Sequence, residues 1–226
     1  MAHVSAAAVI CAAGASSRMG GIKKEFCKLE NTPYGTVLGN TVRTFAAVSL
    51  IETIVIAIPE NTETEARAAL PPEYLTSIKP KIIFVNGGST RQASVFNALS
   101  LLSEYNPRYV LIHDGARPWV SVSLIESIIE AVKKHGAVIP LIPLTDTPKE
   151  CEGIFIKRHL KRLNVGLAQT PQAFLFPEIL HAHTQAAALK NEEFTDDAEV
   201  WGRFCGPVAT ISGEQENRKI TFKEDL

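Results

Sequence analysis

The chain has 226 residues, of which 46% are hydrophobic and 21% are charged, and its formal net charge is −1. This composition is typical of a globular protein with one sizeable core, and it excludes a fibrous or disordered chain. A net charge near zero provides no basic field, so we expect no nucleic-acid partner.

The cysteine pattern and the hydropathy of the chain indicate its cellular location. The four cysteines are widely spaced and form no CxxC pair, which favours a reducing, cytoplasmic setting. No apolar run reaches the roughly 18 residues of a membrane span, and the first residues lack the basic region of a signal peptide. We therefore expect no membrane partner and a cytoplasmic protein.

Apolar runs alternate with amphipathic segments along the first two thirds of the chain. The predicted strands are 6–11, 51–58, 81–85, 109–113 and 136–142. The predicted helices between them are 36–48, 62–70, 91–102 and 121–135. Continuous apolar strands that alternate with helices predict an α/β fold with a doubly wound, mostly parallel, Rossmann-like sheet.

The regular alternation stops after Pro140. Residues 145–163 are polar and carry Pro148 and Gly153, which predicts a hairpin that projects as an arm. Helices at 176–190 and 196–204 and a strand at 207–212 follow. No repeat or linker is visible, so we expect one domain over 1–226 with an arm at about 145–163.

Ligands of open α/β sheets bind beyond the carboxyl ends of the strands. The loop after the first predicted strand, residues 12–20, consists of small residues apart from Arg18 and Met19, with Lys23 and Lys24 just beyond. Small residues let the backbone approach a phosphate, and the cations attract it. The loop is neither GxGxxG nor a P-loop, which disfavours a dehydrogenase. By itself, such a loop is a simple turn about as often as a phosphate site.

Three further segments carry polar chemistry. Gly87 and Gly88 open a helix and suit a base or ribose held against main chain, although a tight turn is an equal alternative. Asp114 follows a strand, where it either holds Mg²⁺ or a substrate hydroxyl or caps a turn. Arg218 and Lys219 follow the last strand, where a solvated face is the alternative. Together these cations, glycines and one acid favour nucleotidyl transfer.

At these residues the chain resembles the 2-C-methyl-D-erythritol 4-phosphate cytidylyltransferases of the non-mevalonate isoprenoid pathway. The resemblance covers nearly the whole chain and rests on AAGASSRMG, KEF, GGSTRQASV, VLIHDGARP, LTDTPK, LKRLNVGLAQTPQAF, FTDDA and ENRKIT. The order and spacing of these motifs are far more specific than any one of them. The ribitol-5-phosphate cytidylyltransferases share most of the motifs and are the alternative.

The resemblance implies a fold of the nucleotide-diphospho-sugar transferase type and transfer of CMP from CTP to the sugar phosphate, with release of pyrophosphate. It implies Mg²⁺ or another divalent cation as cofactor, bound through the phosphates of CTP, with Asp114 as a candidate ligand. The implied catalytic cations are Arg18, Lys24 and Lys219. They act on the charge that builds at the α-phosphate.

The resemblance also assigns the binding residues. The nucleotide-binding positions are Ala12, Ala13, Gly14, Ala15, Ser16, Ser17, Gly87, Gly88, Ser89, Arg91, Ser94 and Gly115. The sugar-phosphate positions are Asp114, Arg117, Thr147, Arg162, Thr170 and Thr195. Two of these, Thr147 and Arg162, lie on the arm, which by resemblance embraces a second subunit in a homodimer. The residues alone leave a mobile flap as an alternative to that exchange.

A non-catalytic nucleotide-binding module is a different class of function. It would keep the glycine loops without the cations, so the presence of Arg18, Lys24 and Lys219 favours an enzyme. For His113, which lies within a motif, we expect a structural role. Glu25 stands where the family usually has glutamine.

Overall fold

The computed structural model describes residues 5–14, 19–30, 32, 35–76, 79–189, 192 and 194–226. The strands in these ranges are β1 (Ala6–Cys11), β2 (Ile51–Ile58), β3 (Lys81–Asn86), β4 (Tyr109–Asp114), β5 (Ala137–Pro143), β6 (Lys149–Glu152), β7 (Phe155–His159), β8 (Gly166–Ala168), β9 (Gln172–Leu175) and β10 (Ala209–Ser212). The α-helices are α1 (Val37–Ala46), α2 (Glu63–Ala68), α3 (Pro72–Leu75), α4 (Arg91–Leu102), α5 (Val122–His135), α6 (Phe176–Ala188) and α7 (Asp197–Phe204). Short 3₁₀ turns cover Lys24–Phe26, Arg162–Asn164 and Lys223–Asp225.

Eight of the strands form one sheet in the order β10-β5-β9-β4-β1-β2-β3, with β8 paired to β5. The pairs β1–β2, β1–β4, β2–β3 and β5–β10 are parallel, and the pairs that involve β8 or β9 are antiparallel. The predicted doubly wound, mostly parallel sheet is therefore confirmed. The carboxyl ends of the parallel strands share one edge, where the sequence analysis places the ligand loops.

The predicted boundaries of β1, β2 and α4 agree with the structure, and those of the other predicted elements differ by one or two residues. The strands β8 and β9 and the helix α3 were not predicted from the sequence. Each has only three or four residues, and β9 begins with the buried polar residue Gln172. Periodicity over so few residues carries too little signal to identify a strand.

The arm explains why β8 and β9 run against the parallel strands. The chain leaves the sheet after Pro143 and returns at Gly166, which pairs with Pro143 at the same edge. From there the chain runs back beside β5 as β8 and then between β5 and β4 as β9. Both β8 and β9 are therefore antiparallel to these neighbours. The predicted hairpin is present as β6 and β7, which form a separate two-stranded sheet.

Both faces of the sheet are covered, because the side chains of a strand alternate in direction. In β1, Ala8 and Ile10 join a core with α1 and α5, whereas Val9 joins a second core with α4, α6 and α7. The near-continuous apolar sequence of β1 follows from this burial on both sides. None of the helices in the described residues is long and apolar enough to cross a membrane.

Candidate functional site

The main cavity lies at the carboxyl edge of the sheet and has a volume of about 500 Å³. Its walls come from the loop after β1, the β3–α4 loop, the end of β4, the 3₁₀ turn at Lys24–Phe26 and the C-terminal segment. The predicted site residues that line it are Ala13, Gly14, Lys24, Gly88, Ser89, Arg91, Ser94, Asp114 and Lys219. The structure thus brings together most of the residues that the sequence assigns to nucleotide and catalysis.

Three predicted nucleotide positions lie behind the cavity wall rather than in it. Ala12 is buried, and Gly87 and Gly115 pack against the loop after β1. A Cβ on Gly87 would lie 2.3 Å from the Cβ of Ala13, and one on Gly115 would lie 3.0 Å from the carbonyl oxygen of Cys11. Glycine at these two positions allows the loops to approach each other, so their contribution to binding is indirect.

The predicted residues Ala15, Ser16, Ser17 and Arg18 lie outside the described residues. Their assigned roles remain predictions.

The side chain of Ser94 holds the backbone of the β3–α4 loop through two hydrogen bonds. Its hydroxyl accepts a hydrogen bond from the amide of Gly88 at 3.0 Å and donates one to the carbonyl of Thr90 at 2.9 Å. The hydroxyl of Thr90 in turn caps α4 by accepting from the amide of Ala93 at 3.0 Å. The loop that opens α4 is therefore held in shape before any ligand arrives.

A second cavity of about 260 Å³ adjoins the first. It shares Arg91, Asp114 and Lys219 with the main cavity. The predicted sugar-phosphate residues that also line it are Arg117, Thr170 and Thr195. Two ligands in these cavities would meet at the shared residues.

A cluster of charges surrounds the carboxylate of Asp114 at that junction. Its Oδ2 lies 2.8 Å from Lys219 Nζ and 3.7 Å from Arg117 Nε, and its Oδ1 lies 3.2 Å from Arg91 Nε. Burial by itself would raise the pKa of Asp114, but the positive charges of Arg91, Lys219 and Arg117 hold it far below its usual range. Asp114 is therefore a permanent anion that positions three cations.

The cluster continues into the protein core through Arg91. The guanidinium of Arg91 also contacts Asp197 Oδ2 at 2.8 Å, and Asp197 Oδ1 lies 3.2 Å from His183 Nε2. Burial would raise the pKa of Asp197, but the positive charge of Arg91 and the hydrogen bonds from His183 and Arg91 together lower it. Asp197 was not among the predicted site residues, although the two adjacent aspartates in FTDDA were a signal.

The geometry is a poor fit for the predicted role of Asp114 as a metal ligand. Both of its oxygens face cations, which compete with Mg²⁺ for the same lone pairs. No group of three His, Cys, Asp or Glu side chains within the described ranges is placed to hold a metal ion. These residues therefore do not form a metal site of their own.

Two further polar residues belong to the site, and only one of them was expected from the sequence. Asn217 is fully buried within a run that resembles a solvated face, and its Nδ2 donates to the carbonyl of Thr170 at 2.8 Å. The backbone carbonyl of Asn217 accepts a hydrogen bond from Arg117 Nη1 at 2.7 Å. Lys23 lines the main cavity, and its Nζ donates to the carbonyl of Gly14 at 3.2 Å. Lys23 was expected, because its positive charge adjoins that of Lys24, whereas Asn217 was not.

Residues 6–226 match the family model described as 2-C-methyl-D-erythritol 4-phosphate cytidylyltransferase, IspD. The chain belongs to this family. Curated relatives include the bifunctional enzymes IspD/IspF of Bartonella tribocorum, 37% identical over 99% of this chain and 55% of the relative, and of Brucella anthropi, 36% identical over 97% and 53%. The chain thus spans about half the length of the curated relatives it matches.

Solved structures of IspD enzymes share the fold. The 4-diphosphocytidyl-2C-methyl-D-erythritol synthase of Anaerococcus prevotii has a TM-score of 0.83 at 30% identity, covering 98% of this chain and 92% of that one. The 2-C-methyl-D-erythritol 4-phosphate cytidylyltransferase of Thermus thermophilus has a TM-score of 0.76 at 32% identity, covering 98% and 95%. The resemblance stated from the motifs is therefore confirmed at the level of family and fold.

The arm residues of the IspD motif lie apart from the site of their own chain. Thr147 and Arg162 are exposed and line neither the main nor the adjoining cavity. Arg162 Nη1 donates to the carbonyl of Thr145 at 2.7 Å. The structure therefore does not bring these two predicted residues to the other four sugar-phosphate positions.

His113 has the structural role expected for it. The carbonyl of Arg117 can only accept a hydrogen bond, so the proton of the ring lies on Nε2, 3.1 Å away. The Asp114 amide donates to the Thr170 hydroxyl, which is 3.0 Å from Nδ1 and donates to it. Burial lowers the pKa of His113 to about 4, because a charged ring would be desolvated there. The neutral ring thus ties β4 to the turn at Arg117 and to the strand region at Thr170.

We expect stability to fall between pH 7.5 and pH 4.5 because of His113. Its pKa is about 6.5 when unfolded and about 4 when folded, so its contribution is complete above pH 6.5 and is lost as the pH falls towards 4. Since the side chain is fully buried, the loss amounts to about 2.5 kcal/mol in the free energy of unfolding. Urea unfolding at several pH values measures it. The exposed His181→Gln variant should keep the same slope, and a chain equally stable at both pH values would exclude this role.

Proposed function

We propose that the chain transfers CMP from CTP to 2-C-methyl-D-erythritol 4-phosphate, giving 4-diphosphocytidyl-2-C-methyl-D-erythritol and pyrophosphate. The convergence of Lys24 and Lys219 on one cavity with the glycine loop at Gly88 is the observation that carries the proposal. Cations beside a backbone-lined pocket suit a nucleoside triphosphate. Membership of the family, and the names of its solved members, support CTP and this sugar phosphate as substrates.

The reaction requires one in-line displacement. A phosphate oxygen of the sugar phosphate forms a bond with the α-phosphorus of CTP, while the bond from that phosphorus to the bridging oxygen of the β-phosphate breaks. Pyrophosphate leaves with the electron pair of the broken bond. A phosphate monoester is largely ionised at neutral pH, so no side-chain base has to remove a proton.

Catalysis then depends on positive charge at the α-phosphate. The amino groups of Lys24 and Lys219 stabilise the negative charge of the transition state. Lys219 is positioned by Asp114 at 2.8 Å, and Lys24 Nζ donates to the carbonyl of Ile220 at 2.9 Å. Because both lysines are fixed by neighbours, little reorganisation is needed when the charge develops.

The sugar phosphate fits the adjoining cavity in this scheme. Arg117 supplies a cation there, and Thr170 and Thr195 supply polar side chains. In this scheme the shared Lys219 attracts its phosphate, which then lies next to the α-phosphate of CTP. This arrangement gives the two substrates separate pockets with one common boundary.

We also propose that Mg²⁺ enters with the triphosphate of CTP and neutralises charge on the leaving pyrophosphate. The pairing of Asp114 with cations supports binding of the metal through the phosphates rather than through the protein.

A reducing cytoplasm is the proposed setting, and the absence of any disulfide among the four cysteines supports it.

The arm supports a homodimer as the working form. Ile154, Phe155 and Leu163 are 92%, 73% and 97% exposed, although large apolar side chains favour burial. In the proposed dimer they pack on a second copy of the chain, and the arm delivers Thr147 and Arg162 to the sugar-phosphate pocket of that copy. The exposure of both residues, away from their own cavities, is consistent with action in the partner.

Pyrophosphate release tests the proposed reaction. With CTP and Mg²⁺, we expect release with 2-C-methyl-D-erythritol 4-phosphate and none with ribitol 5-phosphate. Release with ribitol 5-phosphate but not with 2-C-methyl-D-erythritol 4-phosphate would support cytidylyl transfer and identify ribitol 5-phosphate as the substrate. CTP binding without release in either case would indicate a non-catalytic nucleotide-binding module.

Replacement of Lys24 tests the proposed transition-state role. We expect Lys24→Ala to lower kcat by roughly 10²- to 10³-fold, because its charge acts mainly on the transition state. Steady-state kinetics measure the loss, and circular dichroism verifies the fold. Lys28→Ala is the matched control, since Lys28 is exposed and does not line the cavity. A Lys24→Ala enzyme with near-normal kcat would remove the residue from this role.

Replacement of Arg162 tests the arm. We expect Arg162→Ala to raise KM for the sugar phosphate by roughly 10- to 100-fold, the usual effect of losing a charged hydrogen bond, with little change in KM for CTP. Arg158→Ala is the matched control, because Arg158 lies on the same arm and pairs with Glu150 at 2.7 Å. Equal effects on both KM values would assign Arg162 a structural role.

Mixed dimers distinguish exchange of the arm from a flap on the same chain. A Lys24→Ala chain has an intact arm, and an Arg162→Ala chain has an intact Lys24. If the arm acts on the partner, each mixed dimer has one complete site. Since about half of the dimers formed on co-expression are mixed, the preparation should show about a quarter of wild-type activity at low sugar phosphate. Activity no higher than the mean of the two variants would indicate that the arm serves its own chain.

A further inference from the structure

Glu25 is a buried acid in the wall of the main cavity. It occupies the 3₁₀ turn between Lys24 and Phe26, its residue is 3% exposed, and it lines the cavity. Its Oε2 has no hydrogen-bond partner in the part of the chain that the structure describes. A buried carboxyl oxygen without a partner is costly, and such groups usually have a ligand or a functional role.

The lysines beside Glu25 do not satisfy that oxygen. Lys23 Nζ donates to the carbonyl of Gly14 at 3.2 Å, and Lys24 Nζ donates to the carbonyl of Ile220 at 2.9 Å. Both amino groups are thus directed at backbone oxygens. The missing partner is therefore not an ion pair within this turn.

The other charges around Glu25 come from three elements. Asp114 at the end of β4 and Lys219 of the C-terminal segment line the same cavity, and Asp225 near the C-terminus acts on Lys24. The helix α1 packs against the turn and carries one charged residue, Arg43, in its last turn. The cavity wall around Glu25 is thus cationic apart from Asp114 and suits an anionic ligand.

An anionic ligand favours the protonated form of Glu25. Burial raises the pKa of Glu25 above 4.5, and its own amide, Lys24 and Lys23 offset only part of that effect. A triphosphate in the cavity adds negative charge, which raises the pKa further. A protonated carboxyl is a hydrogen-bond donor, and phosphate oxygens are strong acceptors.

We propose that Glu25 is a nucleotide-contacting residue whose carboxyl takes up a proton when the triphosphate binds and donates a hydrogen bond to a phosphate oxygen. This inference rests on the proposed function, because it assumes that a nucleoside triphosphate occupies the main cavity. Protonation also removes the charge from a buried carboxyl whose Oε2 has no hydrogen-bond partner among the described residues. It also links the affinity for CTP to pH through a group that takes no part in the displacement itself.

Calorimetry of CTP binding without the second substrate tests the inference. Titrations of wild type and Glu25→Gln in two buffers with different ionisation enthalpies, at the same pH and with Mg²⁺, give the number of protons exchanged. We expect wild type to take up more protons than Glu25→Gln, by up to about one per CTP. The amide of glutamine still donates, so its Kd should stay within roughly threefold of wild type, whereas Glu25→Met should raise Kd by roughly tenfold.

The exposed Glu30→Gln variant is the matched control and should keep the wild-type proton number. Equal proton numbers in wild type and Glu25→Gln would overturn the inference and leave the proposed function intact. A wild type that releases more protons than Glu25→Gln, and whose affinity for CTP depends more strongly on Mg²⁺, would also overturn the inference. That result would mean that the carboxylate of Glu25 is ionised and lies near the metal. Failure of wild type to bind CTP would overturn the proposed function and this inference with it.

Discussion

The site is organised around the buried carboxylate of Asp114, whose cost of burial has to be met by charged partners. An unpaired buried carboxylate is destabilising by several kcal/mol, so its partners are structural requirements as well as candidates for chemistry. Arg91, Arg117 and Lys219 come from three separate parts of the chain and meet at this one anion. Without it, the three cations would repel one another. With it, they stand ready beside two cavities at fixed positions.

The sheet makes this meeting possible. Asp114 ends β4, and Cys11 pairs with it in register at the end of β1, so the loops that follow both strands begin at the same level. Burial raises the pKa of the Cys11 thiol to about 12, which leaves it an inert part of the wall rather than a nucleophile. The close approach of Gly87 to Ala13 then joins the β3–α4 loop to the loop after β1. Rigid strands thus position loops whose residues are free to serve binding.

Much of the fold and part of the site could be predicted from the sequence because their signals are local. The strands β1 and β2 are nearly continuous apolar runs, and α4 follows the capping residue Thr90. Residues that follow parallel strands are expected at one edge of the sheet. The strand β9 was missed because its four residues, which include buried Gln172, carry no periodic signal. Asn217 was missed for a related reason, since its burial depends on contacts with Thr170 and Gln169, more than 40 residues away.

The order of strands and helices, the location of the ligand loops at the carboxyl edge and the cytidylyltransferase motifs are all readable from the sequence. The pairing of cations with Asp114, the neutral state of His113 and the burial of Glu25 with no partner for Oε2 among the described residues depend on the folded chain. Charge and burial differ in this respect because they are set by distances between segments far apart in sequence. Lys24, for example, donates to the carbonyl of Ile220, 196 residues away. A sequence pattern supplies the groups, and the packing of the sheet sets their environment and hence their chemistry.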